Sequence, residues 1–335
     1  MTTVLLVGAG AVGAQAARQV VDTPGVERLL LAVRDHEHAR ALARALGATA
    51  ETVVHAPGDP LPTGVDAVAT ALPAAVDAGP ARRAVEAGVP VASAVDDHDG
   101  IRALLELDAA AREAGVVVAA GCGLAPGLAC VLARHAAGAL DRVDEVHVAR
   151  SGVAGPASRT SLRRACRERP GEWREEAWHD ERSGDAELVW FPDPIGAREC
   201  EPVASGVALL VAAFPGIAQA TVRFDKALAR RAGARIRRRR EDDGWGAARI
   251  EVWGWRGRAR ESIVYGVVDR TAVAAGTVLG VTAAGLAGAL PAVSLRAGHE
   301  HGAQGLAALV EPVPFLAELA RRGVKAAAFE GVAVA

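Results

Sequence analysis

The chain has 335 residues, enough for two domains, and its 51% hydrophobic and 23% charged content describes a soluble globular protein rather than a disordered one. A formal net charge of -2 leaves no electrostatic footprint for nucleic acid, and the one basic run, Arg230 to Arg240, is followed at once by Glu241-Asp242-Asp243, as in a solvated edge or loop. Cys122, Cys130, Cys166 and Cys200 are too widely spaced for a zinc ribbon or a disulfide framework, and no basic region precedes the first apolar stretch, so a reducing cytoplasm is the expected compartment.

The first element is a strand at Val4-Leu5-Leu6-Val7, running straight into Gly8-Ala9-Gly10-Ala11-Val12-Gly13 and an alanine-rich helix over Gln15 to Val21. A glycine fingerprint at a strand-to-helix junction is the signature of a dinucleotide site. Gly8 permits the tight turn, Gly10 lets the backbone approach a pyrophosphate, and Gly13 allows the helix to pack closely on the strand. The phosphates then meet the helix N-terminus beside Ala11 and Val12.

A second strand is predicted over Glu27 to Val33 and a helix over His36 to Leu46. The pattern continues with a strand at Val65 to Ala71 ending in Leu72-Pro73, a helix at Ala81 to Ala87, a strand at Val89 to Ala94, a helix at Ile101 to Ala114 and a strand at Val116 to Ala120. Regular alternation of this kind means parallel strands with right-handed crossovers, a doubly wound Rossmann sheet. The carboxyl ends at Gly8, Arg34, Leu72, Val95 and Gly121 are expected to line one ligand crevice, with Leu72 and Pro73 beside the cofactor. The second strand ends in Val33-Arg34-Asp35. An arginine there suits a 2'-phosphate and favours NADP, while Asp35 is left to cap the next helix or to hold the ribose, so NAD stays open.

The pattern changes after Pro126-Gly127. A helix from Leu128 to Ala139 is followed by strand-like stretches at Glu145 to Arg150, Glu187 to Phe191, Ala220 to Phe224, Arg249 to Trp255 and Ser262 to Val268, with a hairpin turn in Trp253 to Arg258. This predicts a mixed, largely antiparallel sheet in an α+β substrate-binding and dimerisation domain. Ala272 to Leu290 is uncharged and about long enough to cross a bilayer, but its Ala, Gly and Thr content makes transfer to lipid marginal. Small residues, including Gly276-x-x-x-Gly280, suit a helix packed inside protein instead. With a last helix near Phe315 to Arg322, it is expected to return to the first domain. The expected division is therefore 1–125 plus about 271–335 for the dinucleotide-binding domain and 126–270 for an inserted second domain.

Several segments together resemble the saccharopine dehydrogenase-like family: the N-terminal fingerprint, Asp66 to Pro73, Ala87-Gly88-Val89-Pro90 with Asp96-Asp97, Ala114-Gly115 through Gly121-Cys122-Gly123-Leu124-Ala125-Pro126-Gly127-Leu128, and Phe191-Pro192-Asp193-Pro194-Ile195-Gly196. The resemblance implies a two-domain oxidoreductase using NAD(P) at carbon-nitrogen bonds, in imine reduction or oxidative deamination. Relatives that act as trans-acting enoyl reductases keep a carbon-carbon reductase on an acyl or carrier-bound substrate open, and a cofactor-binding protein without catalysis is a third possibility. Many relatives carry an aspartate where this chain has Ala125, and another near Ser93, so no carboxylate role transfers to either place.

Hydride transfer to an imine requires an oriented nicotinamide, a proton-handling group and cations for the substrate's carboxylates. Asp96, Asp97 and His98 follow the strand expected to end near the nicotinamide, and Asp97 is the candidate for the proton or the ammonium. Cys122 lies in the loop between domains, beside the crevice, as a candidate to contact nicotinamide or substrate. Arg198, after a rigid turn, and Arg159, after Gly155-Pro156-Ala157-Ser158, are the candidates for holding a carboxylate. His299-Glu300-His301 lacks a third ligand, and no metal is expected. The expected partner is a small molecule carrying amino and carboxylate groups, bound by a homodimer, with no nucleic acid and no membrane.

Overall fold

The computed structural model describes residues 2–32, 36–55, 59–168, 172–175, 177–179, 185–228, 244–291, 293 and 295–329. The first half alternates β1 (Thr2–Val7), α1 (Ala11–Val21), β2 (Val26–Ala32), α2 (His36–Leu46), β3 (Ala50–Val53), β4 (Ala67–Thr70), α3 (Ala74–Glu86), β5 (Val91–Ser93), α4 (His98–Leu105), α5 (Asp108–Glu113) and β6 (Val117–Ala120). Unlike a half-solvated strand, β1 is apolar without a break from Val4 to Val7, and Val4, Leu5 and Leu6 are fully buried. That is the signature of a strand covered on both faces. It pairs in parallel with β2 (Leu5 opposite Leu30) and with β4 (Leu5 opposite Val68).

The second half contains α6 (Leu128–Ala137), β7 (Arg142–Ser151), α7 (Pro156–Ala165), β8 (Glu172–Arg174), β9 (Ala177–His179), β10 (Glu187–Trp190), β11 (Ala197–Pro202), α8 (Gly206–Ala212), β12 (Gln219–Asp225), β13 (Trp245–Arg256) and β14 (Ala259–Arg270). After these come α9 (Thr271–Leu286), β15 (Gly302–Gly305), α10 (Leu306–Leu309), α11 (Pro312–Arg321) and β16 (Ala326–Phe329). The first sheet runs β15-β6-β5-β4-β1-β2-β3, all parallel. Its strand order reverses between β1 and β4, where α/β sheets open their ligand crevice. The second sheet runs β10-β11-β12-β7-β13-β14-β16 and is antiparallel except between β12 and β7.

The small-residue helix explains itself once seen against α1. In α9, every residue from Ala274 to Ala284 is buried. A Cβ on Gly276 would lie 2.7 Å from the Val12 carbonyl oxygen, and one on Gly280 2.7 Å from Gln19 Cβ and 2.9 Å from the Ala16 carbonyl oxygen. The Gly-x-x-x-Gly spacing therefore lets two backbones meet inside protein. No helix among the described residues is long and apolar enough to cross a membrane.

Several elements depart locally from the sequence expectations, α3 starting at Ala74 rather than Ala81 among them. The helix expected over Ile101 to Ala114 is two helices, because Asp108 turns toward the sheet edge and accepts a hydrogen bond from the Ala303 amide of β15 at 2.9 Å. The edge strand β3 went unpredicted: with Glu51 exposed and only four residues, it carries no usable apolar alternation. Helices α7 and α8 interrupt what looked like a run of strands. The expected C-terminal return to the first domain is incomplete, since β16 pairs with β14 of the second sheet (Val264 opposite Phe329).

Candidate functional site

A crevice opens where the carboxyl ends of β1, β4 and β5 face the end of β7 and the start of α7. Val12, Ala71, Leu72, Pro73, Ala94, Val95 and Asp96 line it from the first sheet, and Gly123 to Pro126 form its floor. Arg150, Ser151, Gly152, Ala154, Ala157, Ser158 and Ser161 face them, with Thr271 and Ala275 of α9 between.

The glycine fingerprint builds the first wall. Gly8 adopts φ +98°, and a Cβ there would sit 2.7 Å from the Ala71 carbonyl oxygen. A side chain on Gly13 would collide with the Gly8 carbonyl, so this glycine sets how closely α1 packs on β1. Gly10 differs. It is the N-cap of α1 at φ -69° with no side-chain cap, and a Cβ there meets no atom of the described residues within 4 Å. The fold itself thus places no demand for glycine at position 10, and the space beside it fronts the uncapped amides of an eleven-residue helix. The loop geometry fits a dinucleotide, with Gly10, Ala11, Val12, Leu72 and Pro73 the residues that would hold it. Ala11 lies under the Gly155 loop, where an added Cβ would come within 3.0 Å of its own. Arg34 and Asp35 lie outside the described residues.

Across the crevice, Arg150 is the last residue but one of β7, on the same face as the buried Val146 and Val148. One guanidinium nitrogen, Nη1, donates to Asp96 Oδ2 at 3.1 Å and to the Ala125 carbonyl at 2.8 Å. The guanidinium lies 5.2 Å from the centroid of the buried Phe224 ring. Next to it, Ser151 Oγ donates to Asp225 Oδ2 at 2.9 Å, and the other oxygen of that buried carboxylate accepts from the Ala227 and Leu228 amides at 2.9 and 3.2 Å. Thr271 Oγ1 is buried with no hydrogen-bond partner among the described residues.

None of the four side chains expected to carry chemistry lines this crevice. Asp97 is the N-cap of α4: Oδ1 accepts from the Gly100 amide at 2.9 Å, the side chain is 3% exposed, and burial pushes its carboxyl above the usual range. Its neighbour Asp96 faces the crevice instead. Cys122 is fully buried and its thiol donates to the Ala119 carbonyl at 3.3 Å. Arg198 lies on the face of the second sheet turned away from the main core, with Nε 3.5 Å from Asp225 Oδ2 behind Ser151. Arg159 is one position along α7 from Ser158, rotated off the face that Ser158 and Ser161 share. His299 Nδ1 is engaged with Gln304 Oε1 at 2.5 Å. The signal that pointed to Arg150 was available in the sequence: a cation at the apolar parity of a strand, at its carboxyl end.

No family model matches the chain. In structure, it matches apo histidine-tagged saccharopine dehydrogenase (L-Glu forming) from Saccharomyces cerevisiae over 98% of this chain and 100% of that one, with TM-score 0.69 and 14% identity. The fold is saccharopine dehydrogenase-like. A more distant likeness, to C. glutamicum DAP dehydrogenase in complex with DAP, covers 97% of this chain and 100% of that one at TM-score 0.49 and 17% identity.

Proposed function

We propose that the protein is an NAD(P)-dependent oxidoreductase, with NADP preferred, that forms or breaks a carbon-nitrogen bond in an amino-acid-derived small molecule. The observation that carries this reading is Gly10: a glycine that packing does not require, at the uncapped start of α1, in the crevice at the switch point of a doubly wound sheet. When bound, the cofactor supplies or accepts a hydride at the carbon of the C-N bond. The α1 amides and dipole hold its pyrophosphate, Leu72 and Pro73 flank it, and Arg34 meets the 2'-phosphate. The second domain closes over it through the Gly155 loop and excludes water. We place the boundary of the substrate-binding domain at about 126–270 with β16 added, and assign the protein as a cytoplasmic homodimer.

The test is a fluorescence titration with NADPH and NADH, then turnover of an amino-acid panel followed by reduced-nicotinamide absorbance. Arg34→Ala should weaken NADPH more than NADH by about 1.5 to 3 kcal/mol, the strength of a charge-assisted contact. Equal losses would remove the preference for NADP. Apolar lining from Val12, Leu72, Val95 and Leu124 supports a second reading, a carbon-carbon reductase on an acyl chain, and turnover of a carrier-bound enoyl substrate with none of free amino acids would select it.

A further inference from the structure

Helix α7 lies across the mouth of the crevice. It begins after Gly155, where an added Cβ would lie 3.0 Å from the Ala11 Cβ at the start of α1, and its last turn is tied by Arg164 to Asp99 in the first turn of α4. Since α1 follows β1 and α4 follows β5, with β4 between them in the sheet, the helix passes over the carboxyl ends of three neighbouring strands. Ten residues make about 15 Å of helix, enough for the roughly 10 Å that separates the outer two strands. That is the course a dinucleotide follows from its pyrophosphate, at the β1 turn, toward its nicotinamide end.

The inward stripe of α7 is Ser158, Ser161, Leu162 and Ala165, spaced as an amphipathic helix spaces its apolar residues. Leu162 and Ala165 are buried, and Leu162 joins the main core. The other two positions carry hydroxyls and line the crevice together with Val12, Leu72 and Val95. Ser158 Oγ accepts from the Ala154 amide at 3.4 Å, which leaves its proton to give. Ser161 is half-buried, its Oγ is not sealed from solvent, and it makes no hydrogen bond among the described residues, so it can both give and accept. Hydroxyls at positions where packing alone would place apolar side chains are groups for a polar partner. Apart from Leu162 and Ala165, α7 buries no side chain among the described residues, and the ion pair at its far end is exposed, a kind that adds little.

We propose that α7 is a strap that the second domain lays over the nicotinamide half of the cofactor, with Ser158 donating to the nicotinamide-side phosphate and Ser161 bonding the adjoining ribose. This rests on the nicotinamide-cofactor reading above and names two residues of the second domain that hold that cofactor. The pairing follows the chemistry: a phosphate oxygen accepts, and Ser158 has a proton to give, whereas a ribose hydroxyl gives and accepts, as Ser161 does. With only two side chains buried beneath it, α7 is the part of the crevice wall that lifts to admit the cofactor and settles on it. The sequence pointed to Arg159 in this helix; the turn presents its neighbour Ser158 instead.

The experiment uses the full chain and two probes: NADPH, and adenosine 2',5'-bisphosphate, which keeps the 2'-phosphate end and lacks the nicotinamide-side phosphate, its ribose and the nicotinamide. Fluorescence titration reads NADPH affinity, and displacement of NADPH reads the bisphosphate. Ser158→Ala and Ser161→Ala raise helix propensity and so leave α7 able to form. Each should weaken NADPH about threefold to tenfold, the range of one neutral hydrogen bond, and leave the bisphosphate unchanged. Trypsin reads the strap itself, because α7 carries Arg159, Arg163 and Arg164. Saturating NADPH should slow cleavage after these arginines at least about fivefold, mapped by peptide mass, and saturating bisphosphate should not. Parent-like NADPH affinity in both variants overturns the proposal, as does protection by the bisphosphate equal to that by NADPH; either result leaves the cofactor reading standing. No NADPH binding by the parent chain sinks that reading and the strap with it.

Discussion

Gly10→Ala separates what the fold requires from what the cofactor requires. The backbone at φ -69° and ψ -167° suits alanine, and the new methyl meets no atom of the described residues within 4 Å. Two small effects on stability oppose each other: alanine is a poorer N-cap than glycine, and a stiffer unfolded chain favours the variant by about 0.4 to 1 kcal/mol. The unfolding free energy should therefore move by no more than about 1 kcal/mol. The methyl does stand where a pyrophosphate would approach the α1 amides. Losing one charge-assisted hydrogen bond to phosphate amounts to about 1.5 to 3 kcal/mol, so NADPH affinity should fall roughly tenfold to a hundredfold. Fluorescence titration measures the second quantity and urea denaturation the first. Unchanged affinity would refute the placement of the cofactor, and a large loss of stability would show that the glycine serves packing after all.

Gly280→Ala should behave in the opposite way: its methyl presses on Ala16 backbone, overpacking costs about 1 to 3 kcal/mol, and helix propensity returns about 0.5 to 1, so the urea midpoint should drop. A higher midpoint would contradict the close α1–α9 contact. A thiol reagent at mildly alkaline pH should label Cys166, which is exposed, before the other three, since Cys122, Cys130 and Cys200 are buried and the latter two thiols are pushed up to about 11 and about 12; peptide mass mapping reads the order. Asp97→Asn keeps the N-cap and removes a carboxyl whose proton affinity burial raises. That carboxylate destabilises the fold above its raised folded value, and the penalty fades as pH falls through that value toward the ordinary carboxylate range. The variant should therefore gain stability at neutral pH, with the gain shrinking in acid, and keep its turnover; a gain that grows in acid would reverse the assignment.

What the sequence made legible was local. The close approach of Gly13 to the Gly8 carbonyl spans only five residues, and the alternation of apolar strands with helices needs no knowledge of the partner strand. The substrate wall is a product of topology. Arg150 and Asp96 meet only because the end of β7 is brought over the end of β5, and neither position betrays the other. Asp97 and Asp96 are adjacent and chemically identical, and the choice between them is made by the first turn of α4, which uses one as its cap and leaves the other to the crevice. Thr271 is legible only as the first residue of a helix whose boundary had to be known to one residue.

The polypeptide joins the two sheets at three places: through the segment from β6 to β7, at Arg270-Thr271, and between α11 and β16. The buried side chains of the two sheets also form one continuous core, Val4, Leu5 and Leu6 with Val146, Val148, Phe224 and Ile250, so the three crossings tie together layers that already pack as one body and keep the Gly155 loop over Ala11 and Arg150 beside Asp96.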